Sequence, residues 1–310
     1  MSRRDVGQPR RGFALLTTLW ILSVASIVAM AAALTGRDAV VAGASRVELE
    51  RARWLASGCE RRAVAAIDAV LRDAPGDAEA ALAWRTLAAQ IDASPLLNGC
   101  NVRAEAAGTK LDVNAASDEM IEALLEAADL PLDVASMVDA LDDWRDSDDV
   151  VRPVGAERAW YAAAGRAAPR NGPLADPREL ARVRGFEALS AVDTLFTTEP
   201  GRISLSTAPV AVLRAVPGIT RETADAIVAR QIAGLPLESL LDIVGSISDA
   251  SAETLATRFS DATRVTTPDP DAWLLTVRQT RGDPAVTATL TWRVIRIGRR
   301  CAVAGTRSET

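Results

Sequence analysis

The chain has 310 residues, 35 of them basic against 41 acidic, a net charge of −6 and no histidine. That balance gives no general attraction to nucleic acid or to an anionic membrane surface. The missing histidine excludes Ser-His-Asp and Cys-His nucleophile systems and every histidine metal site, and no glycine-rich phosphate loop of the P-loop type is present. With 49% hydrophobic residues, enough chain remains beyond an anchor for one large or two small cores.

The chain opens with a basic head, Arg3, Arg4, Arg10 and Arg11, which ends at Gly12. From Phe13 to Leu34 the sequence is uncharged and mostly apolar. At about 1.5 Å per residue, a helix of that length crosses roughly 30 Å of hydrocarbon. Arginines precede the span and only Arg37 and Asp38 follow it closely, which predicts a cytosolic head and a body on the far side of the membrane. A cleaved secretory signal is the competing reading, with Ala31-Ala32-Ala33 as its cleavage site. The run is longer than the usual apolar core of about 7–15 residues, and helix-compatible sequence continues to about Leu71.

This joined helix, preceded by Gly12-Phe13, resembles the amino-terminal spine of type IV pilins and type II secretion pseudopilins. The resemblance implies that a prepilin peptidase cuts after Gly12 and leaves a methylated Phe13 as the first residue. Thr17 then stands fifth, where most pilins carry a glutamate that neutralises a neighbouring subunit's terminal amine. A carboxylate in lipid costs several kcal/mol unless paired, so its absence implies that no partner amine has to be answered. The first subunit of a fibre has no predecessor. Lack of this glutamate characterises the K-type minor pseudopilins of the general secretion pathway, which are large for their family.

From Ser45 to Leu71 an apolar stripe of Ala52, Leu55, Cys59, Ala63, Ala66 and Val70 predicts a helix laid on one core. Pro75-Gly76-Asp77 breaks it, a second helical stretch covers about 78–91, and Pro95 changes the period. Asn101–Val113 reads as a hairpin turning near Gly108. At the other end, Leu274–Val277 and Val286–Ile297 read as antiparallel strands separated by Arg281-Gly282-Asp283-Pro284, and 301–310 reads as an untethered tail. The expected fold is α+β: a long pilin-like helix packed on a small antiparallel sheet, with a large all-α insert. The expected boundaries are leader 1–12, membrane half-helix 13–36, pilin-like helix and first strands 37–113, insert 114–262, C-terminal strands 263–300 and tail 301–310.

The insert divides into two repeats, 114–198 and 199–262. Leu111-Asp112-Val113-Asn114-Ala115-Ala116 introduces helical sequence, a break at Leu130-Pro131 and more helix. Ile203-Ser204-Leu205-Ser206-Thr207-Ala208 does the same around Val216-Pro217-Gly218-Ile219. Both resemble the helix-hairpin-helix or SAM-like units found twice in K-type pseudopilins. Membrane-anchored DNA receptors of the competence type carry such units too and are the alternative. A DNA-holding hairpin offers backbone amides to phosphate from a glycine-rich turn with basic residues alongside. Here Thr220 replaces the second glycine, Glu222 and Asp225 offset Arg221, and Asp129 and Asp133 flank the first turn. Packing units fit better, and no nucleic-acid partner is expected.

Asp139, Asp142, Asp143, Asp146, Asp148 and Asp149 crowd around one base, Arg145, and Glu157 follows after Pro153 and Gly155. Such density is either a solvated acidic face or a site for a hard cation taking several oxygen ligands at about 2.3–2.6 Å. The segment resembles the acidic tryptophan stretch of K-type pseudopilins, which implies bound calcium with Asp143, Asp146, Asp148, Asp149 and Glu157 as ligands. Cys59, Cys100 and Cys301 lack CxxC spacing; an oxidising compartment allows one disulfide among them, its pairing open. No enzyme is expected. The resemblance further implies a single-pass inner-membrane protein with a periplasmic body. Its implied partners are the I- and J-type minor pseudopilins, the major pseudopilin, the prepilin peptidase and the inner-membrane secretion platform.

Overall fold

The computed structural model describes residues 11–127, 133–189, 192–235 and 237–309, with backbone alone at 11–14, 188, 308 and 309. The head residues Arg3, Arg4 and Arg10, and the first repeat's break at Leu130-Pro131 with Asp129, lie outside them.

Helix α1 (Arg11–Asp73) is one run of 63 residues, about 95 Å long at 1.5 Å per residue. Its first part carries an 18-residue window of mean hydropathy 2.1, none of it buried against the protein. Leu15, Trp20, Ile27 and Met30 are each 65–70% exposed. A helix apolar all round and left uncovered by the other described residues fits a membrane anchor. Further on, one face closes over Ala52, Ala56, Cys59, Ala63, Ile67 and Leu71. Leu55, expected on that stripe, is instead 44% exposed, because the buried positions set the centre of the face and 55 falls at its edge.

Helices α2 (Asp77–Arg85) and α3 (Leu87–Asp92) follow, then strands β1 (Val102–Ala106) and β2 (Leu111–Asp112). In the first repeat come α4 (Asp118–Ala127), α5 (Val134–Arg145), α6 (Arg158–Ala163), α7 (Val192–Leu195) and β3 (Phe196–Thr197). The second holds β4 (Ile203–Ser204), α8 (Val210–Arg214), α9 (Arg221–Ile232), α10 (Asp249–Thr257), α11 (Phe259–Val265) and β5 (Thr266–Thr267). Strands β6 (Trp273–Arg281), β7 (Val286–Ile297) and β8 (Arg300–Glu309) complete the chain.

The main sheet has strand order β1-β6-β7-β8, antiparallel throughout. Two expectations are corrected here. Residues 101–113 do not form a hairpin: β1 pairs with β6, and β2 pairs in parallel with β3. Gly108 does turn the chain, at φ +82°, but a Cβ there would run into the Arg202 carbonyl, so the turn packs on the second repeat. Nor are residues 301–309 an untethered tail. They belong to β8, paired with β7 from Ile297↔Arg300 to Thr289↔Glu309.

Register fixes which end of the spine carries the insert. The β6 end at Arg281 pairs with Glu48 of α1 at 3.4 Å. The β7–β8 turn lies at least twenty residues further along the helix, where Arg300 meets Asp68 at 2.9 Å and Arg299 donates to the Arg72 carbonyl at 2.5 Å. Ala106 pairs with Trp273, and Trp273 with Val294 near that same turn. The chain therefore leaves and re-enters the sheet at the end furthest from the membrane span.

Two separate cores result. One joins α1, α2, α3 and the sheet through Ile67, Trp84, Leu275 and Trp292; the other fills the insert around Leu124, Tyr161, Phe196 and Leu213. The two repeats close alike. Ala116 N donates to Asp112 O and Ala208 N to Ser204 O, both at 2.9 Å, while Val113 N reaches Thr197 O at 2.9 Å and Leu205 N reaches Thr267 O at 2.8 Å. Each unit is thus sealed by a parallel two-residue ladder. At the junction of the cores, Trp84 Nε1 donates to Pro270 O at 2.7 Å and Trp273 Nε1 to Trp84 O at 2.9 Å.

Candidate functional site

Helix α5 starts at Asp133, whose side chain accepts from Ser136 N at 3.4 Å, and buries Met137, Ala140, Leu141 and Trp144 in the insert core. Its opposite face presents Asp139, Asp142 and Asp143 to the returning segment 150–157. Asp146 ends the helix, its own N–H bonded to Asp142 O at 2.8 Å. The return is laid onto the helix by carboxylates: Arg152 N donates to both oxygens of Asp143 at 3.2 and 3.3 Å, and Val154 N donates to Asp139 at 3.1 Å. Gly155 is required by closeness, since a Cβ would run into Asp143 Oδ2.

Glu157 then caps α6, accepting from Arg158 N through Oε2 at 3.2 Å. The residue is 5% exposed, and Oε1 has no hydrogen-bond partner among the described residues. One carboxylate oxygen from each of Asp143, Asp146 and Glu157 lies within 4.8 Å of the other two. Oxygens at about 2.3–2.6 Å from a common ion are spaced on that scale, so the three residues fit a hard divalent cation. The orphaned buried oxygen of Glu157 is the group such an ion would satisfy.

Burial pushes the Asp143 carboxyl up from the ordinary range, and neighbouring Asp146 pushes it further against the Arg152 amide bond. Burial also raises Glu157, with Asp143, Asp146 and Asp149 adding to it. Both shifts state that negative charge here lacks an answering charge.

The other two expected ligands are placed elsewhere. Asp148 uses Oδ1 to accept from Val150 N at 2.8 Å. Asp149 accepts from Asn171 Nδ2 at 3.0 Å and lies 3.7 Å from Arg158. Neither joins the converging set. The tryptophans of the segment form a wall behind it: Trp144 and Trp160 meet Tyr161 edge-on at 5.3 and 5.0 Å. Tyr161 OH accepts from Arg184 N at 3.1 Å, and the Arg184 guanidinium donates to the Gly155 carbonyl at 3.0 Å. Sequence reasoning missed Asp118 and Arg152, whose ion pair at 2.9 Å joins residues far apart in the chain.

The second hairpin is closed toward its own unit. Gly218 takes φ +80°, and a Cβ there would meet Arg258 Cβ at 2.7 Å, so Arg258, between α10 and α11, covers the turn. Thr220 caps α9 and shares a hydrogen bond with Ser251 at 3.0 Å. Glu222 holds Ser248 N at 2.9 Å and Ser251 Oγ at 2.7 Å. A turn packed against Arg258, with a carboxylate engaged beside it, is a poor cradle for phosphate. Of the cysteines, Cys59 and Cys100 are joined, with Cα atoms 5.7 Å apart. Cys301 stays a thiol, half-buried, its pKa pushed up to about 11 by burial and by Asp68.

A spine helix that begins as a membrane span, a small antiparallel sheet on its second part and a helical body at the far end define a membrane-anchored pilin-like protein. Residues 97–192 match the family model for the type II secretion system (T2SS), protein K. Over that segment, about a third of the chain, the sequence is similar to this family, a structural component of the secretion system. The fold is shared with one chain of a solved structure, the crystal structure of the GspK-GspI-GspJ complex from the enterotoxigenic Escherichia coli Type 2 Secretion System. That match has a TM-score of 0.54 at 17% identity and covers 84% of this chain and 96% of that one. No curated protein sequence matches the chain. The competence-type receptor reading is not favoured.

Proposed function

We propose that this chain is a minor pseudopilin that caps the tip of the periplasmic pseudopilus and so supports export of folded proteins from the periplasm across the outer membrane. The observation that carries the reading is the place of the insert, at the end of the spine furthest from the membrane span. A subunit carrying that body there leaves no room for another stacked on the same axis. Thr17, which offers no carboxylate to a preceding subunit's amine, supports the same position. On this reading Gly12 is cut by the prepilin peptidase, the C-terminal body is periplasmic, and the inner-membrane platform extracts the subunit. The partners are the I- and J-type minor pseudopilins, with the major pseudopilin below. The role is mechanical and involves no catalysis. Gold label on a tag in the insert should decorate fibre ends alone; label spaced along the fibre length would overturn the tip position.

We further propose that Asp143, Asp146 and Glu157 hold calcium. A bound ion would neutralise carboxylates that burial and mutual repulsion disfavour, and would tie the end of α5 to the start of α6. Calcium binding only the folded form stabilises it by mass action, and magnesium's stricter octahedral demand suits an irregular site less. The melting temperature should rise more with millimolar calcium than with magnesium, and Asp146→Ala or Glu157→Gln should abolish the difference. Melting that ignores both calcium and chelator would make the acidic run a solvated face.

A further inference from the structure

The return segment 150–157 is gripped from both sides by a single residue. The Arg152 backbone N–H holds Asp143, a proposed ligand, by both oxygens. Its guanidinium points the other way, 2.9 Å from Asp118 on α4, 3.7 Å from Asp139 and in contact with Asp142 on α5. Asp142 is anchored in turn by Arg145 at 2.6 Å, and Arg145 donates to the Val113 carbonyl at 2.6 Å. Around this grip, Gly155 N bonds back to Arg152 O at 3.1 Å, and Ser136 Oγ donates to Val154 O at 3.1 Å. Glu157 follows directly. Where Arg152 sits on α4 and α5 therefore fixes how near Glu157 comes to Asp143 and Asp146.

We infer that Arg152 is the positioning residue of the cation site, building the gap between α5 and Glu157 to the size of the ion although its own side chain contacts none of the three ligands' carboxylates. The inference rests on the calcium reading above. Charge and geometry make opposite demands of it. As a nearby positive charge, Arg152 opposes a cation, so neutralising it should tighten binding. As a positioning residue it assembles the site, so the same change should weaken binding, and outer-shell partners of metal ligands commonly contribute about 10–100-fold in affinity.

The test is calcium titration by calorimetry on the full-length chain in detergent, for wild type, Arg152→Gln and Arg152→Lys, with melting in chelator confirming that each variant is folded. Arg152→Gln should bind roughly tenfold or more weakly. Arg152→Lys keeps the charge but loses the planar fork that spans Asp118 and Asp142, so it should weaken binding as well, though less. If wild type binds calcium while Arg152→Gln binds equally or more tightly and Arg152→Lys is unchanged, Arg152 is only a charge and the inference fails alone. If wild type binds no calcium, the inference and the cation reading fail together.

Discussion

Removing the Cys59–Cys100 bond should loosen the pilin frame far more than the insert. The bond joins residues 41 apart and closes a loop holding the end of α1 with α2 and α3, stapling the chain before β1 to the spine. Loop-closure entropy for that length is about 4 kcal/mol at 25 °C. Cys59 is 2% exposed, so alanine there also forfeits a sulfur's packing, adding roughly 1 kcal/mol. Against a domain stability of about 5–15 kcal/mol, this is a large fraction. Native-state hydrogen exchange on the full-length Cys59→Ala/Cys100→Ala variant in detergent separates the two cores. Amides of β6 and β7 should lose protection by roughly several thousandfold, at about 1.4 kcal/mol per decade, while those of α5 and α9 change much less. A loss under tenfold in the frame, or an equal loss in both cores, would refute the reasoning.

Processing should leave Phe13 as the first residue, which mass spectrometry of the mature terminus reads directly; a larger residue at Gly12 should block the cut, and a terminus near Leu34 would mean an ordinary secretory signal. The metal-free chain should show a pH effect from Asp143 and Glu157, whose folded pKa values are raised. Their stabilising contribution is complete below the ordinary carboxylate range of about 4 and is lost as pH climbs through the raised values. Chelated wild type should therefore lose stability relative to Asp143→Asn/Glu157→Gln as pH rises from about 4 towards neutrality, and calcium should reverse the trend; a difference flat with pH refutes it. Duplex DNA should show no salt-sensitive binding to the chain, because the second hairpin's turn is covered by Arg258. Micromolar binding at physiological salt that Arg221→Ala abolishes would restore the receptor reading.

The spine and the strands β6 and β7 were legible because their signals are local: an uncharged run long enough to span lipid, and alternating β-branched residues around a turn. Strand β8 was not. Arg300-Cys301-Ala302-Val303-Ala304-Gly305 has little strand propensity, and it is a strand because β7 presents a ladder to it. At Gly108 the turn was readable but its partners were not, since β1 finds β6 across the whole insert and β2 pairs over only two residues. Acidic density marked Asp143, Asp146 and Glu157 as a group. It could not separate them from Asp148 and Asp149, because that choice depends on how Arg152 folds the return segment onto carboxylates of two helices.

Ala106 and Trp273 are neighbours in one ladder, so to the folding sheet the whole inserted body is a single long hairpin loop. The entropy of closing such a loop grows only with the logarithm of its length, each doubling costing about 0.6 kcal/mol. A body with its own core, sealed by its own short parallel ladders, repays its ordering internally and asks almost nothing of the frame beyond two adjacent ends. The frame and the body it carries can therefore vary in size and surface independently, joined at one rung.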